Sequence, residues 1–296
     1  MVKVVLRGGL GNQMFQYAAG LRIALKQGAP LVLDTVLLHD RWPRKEFTYR
    51  SFDLDIFTLK PEFTRLSRVA DALPIPGFWL GLDMASMKVS GILGGPKFLV
   101  EKKEHAFDPE VYSATGSVTL FGRWQNPRYF ADIEKELRVA FQFKIPLGEE
   151  AASVKERIMA SESVALCVRR GDYVQHKSAK ALMGETNVDY YAKAIAHINE
   201  QVDSPRFFVF TDDIEFCKQE IGLPADTVYI GKMGPKWSWH LELMSLCKHS
   251  IIANSTFYWW GAWLNPQPEG VVIAPARWYA DREEQPGIFP AHWVQM

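Results

Sequence analysis

The chain has 296 residues, 48% of them hydrophobic and 23% charged, enough for one large domain or two of ordinary size. Lysine plus arginine and aspartate plus glutamate each number 34, so the formal net charge is zero. This balance argues against a protein devoted to nucleic acid, whose phosphate backbone demands a basic face, while leaving room for a local basic pocket that holds one nucleotide. The sparse cysteines, Cys167, Cys217 and Cys247, suit neither a disulfide framework nor a CxxC metal pair and read as buried reduced thiols. The opening MVKVVLRGG lacks a charged-then-apolar leader pattern, and no window reaches the roughly 18 to 20 apolar residues that span a bilayer. A cytoplasmic protein without a membrane span is the expectation.

In chain order, Val2–Leu6 reads as a strand, followed by a glycine turn, a helix from Asn12 to Lys26 and a strand over Leu31–Leu33. Residues 35–116 are rich in Pro, Arg and aromatics with weak periodicity. Order returns with a strand at Val118–Phe121 and a helix marked by Phe130, Ile133, Leu137 and Phe141, and Phe143–Gly148 reads as a linker. Beyond it, apolar runs at Val164–Val168, Phe207–Phe210, Val228–Ile230, Ile251–Ala253 and Val271–Ala274 alternate with helical patterns from Asp189, Ile214, His240 and Thr256. This βαβ spacing predicts an α/β chain of two Rossmann-like units facing a cleft, residues 1–146 and 147–296, the second a doubly wound parallel sheet.

Four segments carry candidate chemistry. Arg7-Gly8-Gly9-Leu10-Gly11-Asn12-Gln13 lies between strand and helix, where glycines admit a ligand close to the backbone and a helix start offers N–H groups to an anion. A dinucleotide fingerprint fails there, because Met14 stands where the third glycine belongs; a plain turn with Asn12 as helix cap is the simpler local reading. Cys167-Val168-Arg169-Arg170-Gly171-Asp172 closes a strand at its carboxyl end, the edge where open α/β sheets bind ligands. Two adjacent arginines there cannot both face the core, and such a fork can hold a diphosphate. Asp172 either pairs with an arginine or acts as a base. Asp212 and Asp213 end the next strand, where a carboxylate suits the N–H donors of guanine or merely caps a helix. Asn254-Ser255-Thr256 precedes a helix and suits a phosphate.

Metal chemistry finds little support. The seven histidines are scattered with no HxH or HExxH pair, and Asp53 and Asp55 lack the strand context of a metal-binding Asp-x-Asp. Seven of the ten tryptophans follow residue 230, where they suit either a sugar or nucleotide floor or a core.

Taken together, GGLGNQMFQYA at 8–18, YRSFDLDIF at 49–57, FGRWQNPRYF at 121–130, CVRRGDYV at 167–174, FFVFTDD at 207–213 and LELMSLCKHSIIANSTFYWWGAWLN at 241–265 resemble the α-1,2-fucosyltransferase family, the branch with bacterial H-antigen enzymes. The resemblance implies a GT-B fold, acceptor groups mainly in the first half, GDP-fucose mainly in the second, and inversion at the anomeric carbon without a metal or other cofactor. It implies transfer to a galactose-terminated glycan such as lactose. Another linkage (α-1,6 or protein-directed) and a non-catalytic sugar- or nucleotide-binding module are the alternatives. It carries phosphate binding to Arg169 and Arg170, guanine to Asp212 or Asp213, and diphosphate or ribose to Ser255 and Thr256, with Asn254 beside them. Gly9, Gly11, Asn12 and Gln13 would position donor or acceptor. The family pattern places His at the first position of His-x-Arg-Arg-Gly-Asp; this chain has Cys167.

Overall fold

Two parallel sheets organise the chain. The computed structural model describes residues 1–43, 48–92, 94–170, 187–267, 269–279 and 287–296, with the backbone alone over 87–92. The chain divides into two compact units, Met1–Gln142 with Pro286–Ile288, and Phe143–Gln285 with Phe289–Met296.

In the first unit the strands β1 (Val2–Val5), β2 (Leu31–Asp34), β3 (Glu62–Phe63), β4 (Lys97–Val100) and β5 (Val118–Phe121) form a sheet in the order β3-β2-β1-β5-β4. Every pairing is parallel. Helix α1 (Leu10–Gln27) packs on β1 so closely that a Cβ on Gly20 would come within 2.3 Å of Val4 Cγ2. The described residues of the segment that looks irregular in sequence hold regular elements: short α2 (Val36–His39), α3 (Arg65–Ala72), α4 (Phe78–Ile92) and α5 (Pro109–Tyr112) stand between strands that extend the sheet at both edges. Helix α6 (Glu134–Ala140) ends the unit after two 3-10 turns, so the helical stripe from Phe130 is broken rather than continuous.

The second unit begins with α7 (Glu149–Met159) and holds β6 (Ser163–Val168), α8 (Val188–Gln201), β7 (Arg206–Thr211), α9 (Ile214–Glu220) and β8 (Val228–Ile230). Then come α10 (Ser238–Leu246), β9 (His249–Ile251), α11 (Thr256–Leu264), β10 (Val272–Ala274) and β11 (Val294–Gln295). Their order is β8-β7-β6-β9-β10-β11, all parallel. This is the dinucleotide-fold order, in which the chain reverses direction between its first and fourth strands, here β6 and β9. Strand β6 is buried throughout, as a central parallel strand covered on both faces must be. Val164, Leu166 and Val168 face Tyr190, Tyr191, Ala194 and Ile198 of α8. Strand β9 starts two residues earlier than its apolar run suggests, because His249 and Ser250 already pair with Val164 and Ala165.

Tyrosine hydroxyls close the carboxyl edge of this sheet. Tyr190 Oη donates to the carbonyl of Ile252 (2.7 Å), Tyr191 Oη to that of Cys167 (3.1 Å), and Tyr258 Oη is shared between those of Val168 and Phe210 (3.2 Å each). Carbonyls left over where the ladder ends are thereby satisfied without water. The strand ends that lead to Arg169 and Asp212 are tied to one hydroxyl, that of Tyr258.

Candidate active site

The reversal between β6 and β9 places three strand ends around one edge of the second sheet. Arg169 and Arg170 follow β6, Asp212 and Asp213 follow β7, and Asn254 and Ser255 follow β9. The arginines and aspartates form one lattice. Arg169 Nη1 lies 3.0 Å from Asp212 Oδ2, and the other oxygen of Asp212 accepts the backbone N–H of Arg170 at 2.8 Å. Arg170 Nε donates to Asp213 Oδ2 at 3.2 Å while its guanidinium covers the Phe216 ring at 3.7 Å. The remaining oxygen of Asp213 caps α9 by accepting Phe216 N–H. The Arg169 guanidinium is thus held by Asp212, and that of Arg170 by Asp213 and the Phe216 ring, with about a quarter of each arginine side chain exposed. Asp172 lies outside the described residues.

Across the switch, Asn254 is buried and its amide donates to the carbonyl of Trp278, which ties the strand end to the C-terminal segment. Ser255 is the N-cap of α11 without a side-chain cap bond, and Thr256 opens the helix. Trp259 and Trp260 of that helix are wholly buried and belong to the core.

Sequence reasoning names His240 only as the start of the helix that leads to Asn254-Ser255-Thr256 and gives it no role; it lies in the first turn of α10 and is completely buried. Its ring packs against Phe210, Trp237, Phe257 and Tyr258 with centroids 5.1 to 6.2 Å away. Nδ1 stands 2.8 Å from the carbonyl oxygen of Gly231, whereas Nε2 has no partner. Burial pushes its pKa down to about 4, with Asp212 pulling the other way and Arg169 adding to the depression. Cys167 is equally buried; its thiol donates to Met244 Sδ at 3.1 Å, and burial pushes its pKa well up, so it is inert as a nucleophile.

In the first unit the corresponding reversal lies between β1 and β5, and the glycine turn sits at its edge. Helix α1 begins at Leu10 with Gly9 as N-cap, so Asn12 is inside the helix and is not the cap. The backbone bonds of a helix can start within GGLG because Gly8, at φ +78, absorbs the sharp turn. A Cβ on Gly9 would stand 3.8 Å from Arg50, and Gly11 is buried within the first turn. Gln13 is buried: its amide donates to the carbonyls of Gly8 (2.9 Å) and Ser51 (2.8 Å) and accepts from Asp53 N–H (2.9 Å). Gln16 brackets Arg7 in the same manner, bonding both its N–H and its carbonyl. These two glutamines shape the turn, while Asn12 accepts from the buried Gln125, itself paired with the buried His105. Glu101 accepts the N–H groups of Arg123 and Trp124, and burial raises its pKa against those two bonds. Nearby Arg7 has its pKa lowered by burial and by the positive charge of Arg123.

Among the described residues no cluster of three or more His, Cys, Asp or Glu side chains could hold a metal ion, and no helix is long and apolar enough to cross a membrane. The chain matches the family described as Glycosyl transferase family 11 over residues 97–296. An alpha-1,2-colitosyltransferase of Escherichia coli is 34% identical over 98% of this chain and 97% of that protein. The O-antigen biosynthesis glycosyltransferase WbnK of Escherichia coli is 30% identical over 93% of this chain and 94% of that protein. A galactoside alpha-(1,2)-fucosyltransferase 1 of Lagothrix lagotricha is 28% identical over 55% of this chain and 48% of its own length. Among solved structures, the NodZ alpha-1,6-fucosyltransferase co-crystallized with GDP superposes with a TM-score of 0.54 at 15% identity, covering 92% of this chain and 94% of that one. This last likeness is one of fold, an α/β architecture with parallel sheets of the GT-B-like kind.

Proposed function

Since the chain belongs to glycosyl transferase family 11, we propose that it moves L-fucose from GDP-β-L-fucose to the 2-OH of a terminal galactoside, forming an α-1,2 linkage with inversion. The observation that carries this reading is the arginine pair at the switch point of the second unit, held by Asp212 and Asp213. In the proposed reaction the bond between anomeric carbon and phosphate oxygen breaks, and GDP leaves with the electron pair. The acceptor hydroxyl attacks the opposite face and gives up its proton. Negative charge grows on the departing diphosphate, where Arg169 and Arg170 meet it in the role a metal plays in other transferases. A preorganised contact of this kind is worth about 3 to 4 kcal/mol, or about 10²- to 10³-fold in rate. The N–H groups that open α11 at Ser255 and Thr256 add further donors for the phosphates. Asp172 is the proposed base or arginine-orienting carboxylate. The acceptor sugar is assigned to the first unit, at the edge bearing Asn12.

The colitosyltransferase relative favours a second donor. Colitose is L-fucose without its 3-hydroxyl, so the two GDP-sugars differ by a single polar group. Incubation with GDP-fucose and lactose in EDTA, followed by linkage analysis, tests the first reading. A 2-linked fucose is the expected product. GDP release confined to the GDP-colitose reaction moves the chain to the second donor, a 6-linked product to another linkage, and binding without any GDP release to a non-catalytic role.

A further inference from the structure

Helix α10 runs antiparallel to β6. Met244 meets Cys167, and four residues back along the helix match about two residues forward along the strand. His240 therefore comes level with the end of β6, where Arg169 begins. A carbonyl oxygen only accepts, so the proton of the neutral ring resides on Nδ1, facing Gly231, and Nε2 carries a bare lone pair. Buried acceptors without donors are rare in folded proteins, and one beside the candidate diphosphate site asks what donor it is shaped for.

The neighbouring acceptors are already engaged: both oxygens of Asp212 and both of Asp213 serve the arginines or the cap of α9. The residue that departs from the family pattern, Cys167, turns its thiol to Met244, and the imidazole stands one helical turn from that methionine instead. Over the His240 ring lies Trp237, edge to face at 5.2 Å. It is held there by two consecutive left-handed residues, Lys236 (φ 50) and Trp237 (φ 63), a conformation that disfavours side chains and is relieved when the turn rearranges.

We propose that His240 reads the nucleobase of the donor: Trp237 turns aside, and His240 Nε2 accepts a hydrogen bond from the exocyclic amino group of guanine. This rests on the GDP-sugar reading above. Guanine offers three donor hydrogens on one edge, and a neutral imidazole can accept from the amino group while giving no hydrogen to an adenine ring nitrogen.

Calorimetric titration of GDP and of IDP, which lacks only that amino group, tests it on the wild type, His240→Phe and His240→Gln. The wild type is expected to favour GDP about tenfold, the value of one good hydrogen bond. His240→Phe should bind the two alike, with IDP affinity unchanged, and His240→Gln, whose amide oxygen can accept, should recover part of the preference. A GDP preference that survives in His240→Phe overturns the proposal and leaves the donor reading standing. Equal loss of both nucleotides makes His240 a packing residue and overturns it too, as does a wild type indifferent to the amino group. A wild type that binds neither nucleotide sinks the donor reading and this one with it. Should the phenylalanine variant fail to fold, the imidazole ¹⁵N spectrum of the wild type decides: Nε2 of His240 must shift with GDP and stay put with IDP.

Discussion

Acid should loosen the second unit through His240, and by an amount the structure fixes. The free side chain titrates near 6.5 and the buried one near 4. Below pH 6.5 the unfolded chain therefore takes up a proton that the folded chain refuses, so this contribution to stability is complete above 6.5 and is lost as pH falls toward 4. The whole span is worth about 3 kcal/mol, and at pH 5 about 2 kcal/mol of it is already gone. His240→Phe keeps an aromatic ring among Phe210, Trp237, Phe257 and Tyr258 and removes the titration. Urea unfolding followed by tryptophan fluorescence suits the measurement, because Trp237, Trp239, Trp259, Trp260, Trp263, Trp278 and Trp293 all belong to the second unit. Between pH 7.5 and 5.0 the wild type should lose about 2 kcal/mol more than the variant. Losses equal within about 0.5 kcal/mol would refute a neutral buried imidazole.

Three further outcomes follow from the two sheet edges. Arg169→Ala and Arg170→Ala should each lower turnover about 10²- to 10³-fold while thermal unfolding stays near the wild-type temperature; near-normal GDP release by both variants would remove the arginines from the mechanism. Gln13→Leu strands the carbonyls of Gly8 and Ser51 and the N–H of Asp53, and should destabilise the first unit by about 2 to 3 kcal/mol in urea titration. Tyr258→Phe strips the hydroxyl shared by the ends of β6 and β7, for a cost of about 1 to 2 kcal/mol in the same assay, together with slower turnover as Arg169 and Asp212 lose their common anchor.

The central strands were legible because burial on both faces leaves an unbroken apolar run, as in Val164–Val168 and Phe207–Phe210, and because each run stops at charged residues. Edge elements carry no such mark. Strand β3 is two residues long, β4 is largely exposed, and α7 shows the core only Ala151, Val154 and Ile158 among three glutamates, Lys155 and Arg157. Helix α4 is mostly apolar, with Asp83, Ser86, Lys88 and Ser90 scattered along it, so no face stands out from its sequence. At the site, Arg169, Arg170, Asp212 and Asp213 announce themselves by standing at strand ends. Their partnership does not, since it depends on β6 and β7 pairing in a register that sets Val168 beside Thr211. The burial of Gln13 within a turn of backbone acceptors was equally hidden, as was the missing partner of His240: both are properties of what surrounds a side chain. A glycine-rich sequence also conceals where its helix starts, which is why Gly9 rather than Asn12 is the cap.

The chain leaves its second unit after Gln285, contributes Pro286–Ile288 to the first, and returns. Ile288 is fully buried, and Gly287 fits so tightly against Asn126 and the carbonyl of His105 that a Cβ there would stand 2.5 Å from the Asn126 amide. The first unit is consequently not a stretch of sequence that can be lifted out. A fragment stopping at Gln142 would lack the residues that pack beside His105 and should fail to fold alone, whereas a pair of fragments divided after Gln142 carries every piece between them. Reassembly from two separately translated halves, and failure of the N-terminal half alone, is the behaviour this threading dictates.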